Sequence, residues 1–222
     1  MDILCSFDVD HPKHSAQEIS ERLSMRLSST YRYLDVLVRK GFLAKDHAST
    51  KYRLGLTLFK LGNLAGAGIR VGDVALPYMK ELSTRSGESI LLTVLSGHEA
   101  VCLERIEARK LIKLSLDRGA SLPLHAGASS RILLAYQEES FVDDMIAKRG
   151  LTKLTEHTIT DPVKLKKELE KTRTLGYAFS NGEADPGARA VAAPIFDHKA
   201  KMIGGLTIAG PAERIKRQNI SR

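Results

Sequence analysis

Two stretches of this 222-residue chain hold residue types at a spacing that could do chemistry. In the first, Arg32, Lys51 and Arg53 belong to a span from Glu21 to Arg53 with eight basic and three acidic residues. Cations gathered so closely suit a polyanion, with nucleic acid the leading partner, whereas the plainer reading of the charge alone is a solvated basic face. In the second, His125-Ala126-Gly127-Ala128-Ser129-Ser130-Arg131 places small residues and two hydroxyls at the start of an expected helix. Open backbone N–H groups there, with the helix dipole behind them, favour a small carboxylate. Tight helix packing also needs small side chains, so both readings stay open. Catalysis by either serine finds no support: the G-x-S-x-G elbow lacks its second glycine, and no pattern supplies a carboxylate to orient His125.

The other reactive residue types point to structure. His11 and His14, with Asp8 and Asp10, lie in a polar loop where solvated charge is expected rather than a metal. Two cysteines, Cys5 and Cys102, cannot build a disulfide framework or a four-ligand metal site, and Cys102 alternates with Val101 and Leu103 as strand core does. No dinucleotide or phosphate-loop glycine pattern appears, so neither cofactor nor metal is expected. The chain carries 34 Lys and Arg against 26 Asp and Glu, a formal net charge of +8, with 43% hydrophobic residues. That is a globular composition. With no stretch near the ~18 apolar residues of a membrane span and nothing like a signal peptide, a cytoplasmic protein without membrane contact is expected. Residues 1–70 carry 11 basic and 7 acidic groups, the body to residue 210 is nearly neutral, and Arg214, Lys216, Arg217 and Arg222 make the tail basic again.

The elements that position these residues follow from pattern. Ser15 and Glu18 have capping-box spacing and open a short helix with Ile19 and Leu23 on one face. A second helix is expected to start near Ser28-Ser29, to bury Tyr31, Leu34, Leu37 and Val38, to present Ser29, Arg32, Tyr33 and Arg39 outward, and to stop at Gly41. Phe42–Lys45 and Lys51–Leu54 flank a polar tip as a hairpin, with Lys51 and Arg53 facing phosphates. Together these describe a winged helix-turn-helix. Leu56, Leu58, Phe59, Leu61 and Leu64 mark a connecting helix ending in a glycine-rich hinge. Beyond it a helix with Val74, Leu76, Met79 and Leu82 precedes strand-like runs at 89–96, 100–106 and 110–116. Helices at 129–137, 140–148 and 163–175 and strands at 188–196 and 202–209 complete an α+β domain on a mainly antiparallel sheet.

The run Ser28-Ser29-Thr30-Tyr31-Arg32-Tyr33-Leu34, followed by Gly41-Phe42-Leu43 and Lys51-Tyr52-Arg53-Leu54-Gly55, resembles the DNA-binding half of the IclR family of transcriptional regulators. Leu122–Tyr136 and Gly176–Pro211 extend the resemblance over nearly the whole chain. It differs in the turn, where the family usually has Gly and often Pro in place of Ser24 and Arg26. The resemblance implies a winged helix-turn-helix over 1–55, a linker helix over 56–70 and a GAF-like effector-binding domain over 71–222, with the family's terminal long helix missing. It places Ser28, Ser29, Thr30, Arg32 and Tyr33 on or beside the helix entering the major groove. Arg32 would read a base edge, while Ser28, Ser29, Lys51 and Arg53 would hold phosphates. An effector pocket would take Ala128, Ser129, Ser180, Thr207 and Ala209, with Leu114, Leu122 and Ala188 as apolar walls. Ala190 and Ala209 stand where some members have Cys and Ser, and Ser180 where some have an acid, so a rather apolar acid is expected. Arg131 would face the ligand or solvent, and Glu183, Asp185 and Arg189 lie near the pocket and could equally form a surface ion-pair cluster, the commoner outcome. The implied partners are a double-stranded, partly palindromic operator, a small organic acid, and a second copy in a homodimer or a dimer of dimers.

Overall fold

The computed structural model describes residues 1–8, 11–46, 49–67, 71–108 and 116–216, and the chain divides into two compact units, Met1–Arg70 and Val71–Arg222. The first begins with α1 (Asp2–Cys5), α2 (Ala16–Arg22) and α3 (Leu27–Arg39). The capping box of α2 is present: Glu18 N–H donates to Ser15 Oγ at 3.2 Å, and Ser15 N–H donates to Glu18 Oε2 at 2.6 Å. That backbone donor, with the Lys51 ammonium 3.0 Å from Glu18 Oε1, holds the Glu18 carboxyl down at about 2.

Helix α3 starts at Leu27, not at the Ser28-Ser29 pair, and Arg26 holds its N-cap position with no side-chain cap. The turn launches the helix instead. Ser20 Oγ donates to Met25 C=O at 2.7 Å, Met25 N–H returns a bond to Ser20 C=O at 2.9 Å, and Ser24 takes a left-handed φ of 51°. The buried stripe is also rotated from expectation. Thr30 and Leu34 are buried, with Leu37 and Val38 packed behind them, while Tyr31 is 52% exposed. Thr30 tolerates the core because its hydroxyl donates back to Arg26 C=O at 3.2 Å.

β1 (Leu43–Lys45) and β2 (Tyr52–Leu54) pair antiparallel, Leu43 opposite Leu54 and Lys45 opposite Tyr52. His14 adds a third rung: its N–H donates to Tyr52 C=O at 3.0 Å, and Tyr52 N–H donates back at 2.7 Å. Ile3, Ile19, Leu34, Leu43 and Tyr52 form the core of this unit. Next comes α4 (Leu56–Ala67), which carries Leu56, Phe59 and Leu64 in the open. Gly55, which leads into it, can be only glycine, because a Cβ there would lie 2.2 Å from the Gly41 carbonyl oxygen.

The second unit is a six-stranded antiparallel sheet with helices on both faces. Its elements are α5 (Val71–Ser86), β3 (Ser89–Ser96), β4 (Glu99–Ile106), β5 (Ser121–Pro123), α6 (Ala128–Ala135), α7 (Glu139–Arg149), α8 (Pro162–Leu175), β6 (Ala178–Asn181), β7 (Ala188–Phe196) and β8 (Met202–Pro211). The strand order is β5-β4-β3-β8-β7-β6, with antiparallel pairing throughout. Helix α5 packs on one face through Ala75 and Met79 against Ile90 and Leu92, while Val74, expected inward, is 62% exposed. Helices α6, α7 and α8 build the main core on the other face, around Ile132, Leu133, Leu165 and Leu169 with Ala100, Ala178 and Ala192 of the sheet. The strand expected at 110–116 lies outside the described residues save Leu116, which is in no strand. The short edge strand β5 carries too few residues to show a period of two.

Candidate nucleic-acid interface and ligand cavity

With Thr30, Leu34, Leu37 and Val38 inward, helical geometry turns Ser28, Arg32, Val36 and Arg39 outward. Ser28 and Arg32 are exposed, Ser29 is half-buried, and Tyr31 and Tyr33 stand 52% and 48% exposed on the two flanks. The Arg32 guanidinium lies 5.7 Å from the Tyr33 ring centroid and makes no ion pair among the described residues. Arg39 is different, held 3.0 Å from Asp35 one turn earlier. Arg26 is exposed at the start of the helix, a cation on this face that the sequence reading treated only as part of the turn.

Two of the expected contacts need correction. Thr30 is fully buried with its hydroxyl turned to its own helix, so it cannot touch a duplex. Lys51 does not project freely from the wing but pairs with Glu18, an exposed contact that a phosphate could replace at little cost. Arg53 is exposed on β2. The wing base is fixed by Lys13, 2.7 Å from Asp46. His14 is buried, its ring nitrogen 3.1 Å from Ser6 C=O, so it is structural rather than solvated; His11 remains exposed beside Asp8. Among the described residues no group of three or more His, Cys, Asp or Glu is placed to hold a metal.

In the second unit, a cavity of about 150 Å³ opens where the N-terminus of α6 meets the small-residue face of the sheet. Ala128 and Ser129 line it from the helix, Ser180 from β6, Ala188 and Ala190 from β7, Ala209 from β8 and Leu122 from β5. Thr207 is not among its walls. It is fully buried in the same sheet, and its hydroxyl has no hydrogen-bond partner among the described residues. Leu114 lies outside the described residues. Leu91, Leu116 and Ala184 complete the apolar lining. Leu91 was not foreseen, since only the sheet register shows which face of a buried strand meets a ligand.

The charge around the cavity is also arranged differently from expectation. Arg131 is fully buried on α6, ion-paired to Glu183 and donating to the Phe179 carbonyl, so it reaches neither solvent nor ligand. Glu183 also accepts from Gly127 N–H at 3.3 Å, which places a carboxylate of the protein at the first open amide of α6. Gly127 has φ 85° and ψ 159°, a backbone region closed to residues with a Cβ. Arg189 pairs with neither Glu183 nor Asp185; it donates to Asn181 Oδ1 at 2.7 Å and to the Ala212 carbonyl at 2.8 Å. His125 is 2% exposed and its Nε2 donates to Thr152 C=O at 2.9 Å, away from any serine. Cys102 is buried near the cavity, and burial pushes its thiol up to about 11, as core packing requires.

Comparison with known proteins assigns both halves of the molecule. The model of the bacterial transcriptional regulator IclR C-terminal domain matches residues 66–222, and that of the IclR helix-turn-helix domain matches residues 1–47. The chain belongs to the IclR family of transcriptional regulators. It is 32% identical over 199 residues to the HTH-type transcriptional regulator KipR of Bacillus subtilis, covering 90% of this chain and 79% of that protein. It is 31% identical over 201 residues to the HTH-type transcriptional repressor AllR of Escherichia coli, covering 90% and 74%. An IclR homolog of Microbacterium hydrocarbonoxydans, solved in complex with 4-hydroxybenzoate, superposes with a TM-score of 0.85 at 27% identity, over 99% of this chain and 90% of that one. These IclR relatives are named as regulators of transcription, not as enzymes. No helix among the described residues is long and apolar enough to cross a membrane.

Proposed function

We propose that this IclR regulator, acting in the cytoplasm, grips a partly palindromic operator through α3 and the wing and releases or tightens it when a small organic acid fills the α6 cavity. The observation that carries the reading is the outward face of α3, where Arg32 stands exposed between two exposed tyrosines, without an ion pair among the described residues. Arg32 reads a base edge; Ser28, Ser29, Tyr33 and Arg53 hold the backbone, and Lys51 joins them by leaving Glu18. A homodimer matches the two-fold symmetry of such an operator. The exposed Leu56, Phe59 and Leu64 of α4 supply apolar surface for assembly, which a dimer of dimers would extend.

The cavity sets the effector's size and polarity. A mostly apolar space of this volume, with Glu183, Asp185 and Arg189 also among its walls, has room for a single ring, as benzene enters an engineered cavity of similar size. The complex of the Microbacterium homolog with 4-hydroxybenzoate supports an acid of that class. Ser129, Ser180 and Arg189, with the amides of α6 beyond the Gly127 N–H that Glu183 holds, are the polar groups that would orient it. To act on DNA binding, the acid must bind the two arrangements of the protein unequally.

Selection of random duplexes by the full chain at near-physiological salt, followed by titration of the winners with a panel of aromatic and short-chain acids, tests both halves. An inverted repeat bound well above scrambled DNA, with affinity shifted by at least one acid, is the expected result. Binding without a recovered motif and erased by salt would overturn the operator reading. Specific binding that no acid shifts would leave a ligand-independent regulator.

A further inference from the structure

We infer that Leu27 reads the methyl group of a thymine in the operator half-site. The inference rests on the reading of α3 as the helix that enters the major groove. Leu27 is the first residue of α3 and is 42% exposed, although it is large and apolar. It shares the inward phase of Thr30 and Leu34, three and seven residues on, but precedes their core. It stands between Arg26 and Ser28, both exposed, and lies outside the cluster that Ile19, Leu34, Leu43 and Tyr52 form. A recognition helix contacts base edges with its N-terminal residues. In the major groove the apolar feature of a base edge is the thymine C5 methyl group. A leucine side chain can neither donate nor accept a hydrogen bond, so any base-specific contact it makes must be with that methyl. Val36 is the internal control. It is also 42% exposed and lies on the outward face, but nine residues along, about 13 Å farther down the helix axis.

The test uses the full chain and its selected duplex, replacing each thymine of a half-site by deoxyuridine in turn, which removes the methyl and nothing else. At one position the substitution should weaken wild-type binding roughly fivefold, the loss of one buried methyl contact. Leu27→Ala should bind the thymine and deoxyuridine duplexes alike, whereas Leu27→Met and Val36→Ala should keep the difference. The side chain is exposed, so unchanged melting of Leu27→Ala is the expected check on folding. If every deoxyuridine duplex binds like its parent, or if Leu27→Ala keeps the loss, the inference falls while sequence-specific binding stands. If no duplex is bound specifically, the reading of α3 falls with it.

Discussion

Helices α3 and α6 each carry a serine pair in their first turn, Ser28-Ser29 and Ser129-Ser130, and each has an arginine within the next three residues, Arg32 and Arg131. Their surroundings are opposite. All eight residues of α6 are buried, and Arg131 is locked to Glu183 and the Phe179 carbonyl. Helix α3 buries only one stripe, and Arg32 rests against a neighbouring tyrosine with no carboxylate among the described residues to neutralise it. The physics separates the two roles. A guanidinium removed from water must find partners inside the fold: Arg131 commits both terminal nitrogens to Glu183 and the Phe179 carbonyl, with only its Nε unbonded among the described residues, and it is walled off from a ligand. One left in water keeps its charge for a partner that arrives later. In this molecule a polyanion can therefore be recognised by side-chain charge on an open face. The small ligand instead meets a mostly apolar wall, from which Arg131 is withdrawn and on which Arg189 is already bonded to Asn181 and the Ala212 carbonyl.

The difference is best broken at Arg131. Arg131→Met should cost about 3–5 kcal/mol, because it strands the Glu183 carboxylate beside α6, and urea unfolding would measure it. A loss below ~1 kcal/mol would show that the pair is not buried in solution. The two helix starts offer a second contrast, since each needs a positive φ but only α6 has a glycine there. Gly127→Ala should destabilise by about 1–3 kcal/mol. Ser24→Gly should instead stabilise by up to ~1 kcal/mol, visible as a rise in Tm, because it relieves the left-handed backbone before α3.

Lys51 lies between the two extremes, exposed yet paired. Lys51→Ala should change stability by less than ~1 kcal/mol while weakening binding to specific and scrambled duplexes alike. Its partner gives a pH signature. The Glu18 carboxyl is held at about 2 against an ordinary 4.5, so its stabilisation is fully present above pH 4.5 and is lost as the pH falls towards 2. The stability difference between wild type and Glu18→Gln should shrink over that window, and a difference that grew on acidification would contradict the capping box.

Much of this was legible where the interaction is local. The Ser15–Glu18 box, the Gly41 stop and the antiparallel β7–β8 hairpin depend on neighbours in sequence and match expectation. The phase of α3 did not read correctly, because Tyr31 scores as apolar and Thr30 as polar, while the core prefers the residue whose hydroxyl can bond its own helix. Arg131 looked like a ligand or solvent contact for a similar reason: its partner Glu183 lies 52 residues away, and nothing at either position announces the other. In the cavity, the residues named through family likeness largely converge. Leu91 came to light only with the sheet register in view, and Glu183, named with Asp185 and Arg189 from the sequence, shows its bond to the α6 N-terminus only in the fold.

Arg32→Ala, titrated against the selected operator and a scrambled duplex, tests the central claim most directly. Stability should stay within ~0.5 kcal/mol of wild type, since the side chain is exposed and makes no ion pair among the described residues. Operator affinity should fall by about 1–3 kcal/mol with little change on scrambled DNA, so that preference collapses at one base pair in each half-site. Equal losses on both duplexes, or none on either, would contradict the assignment of α3 as the element that reads sequence.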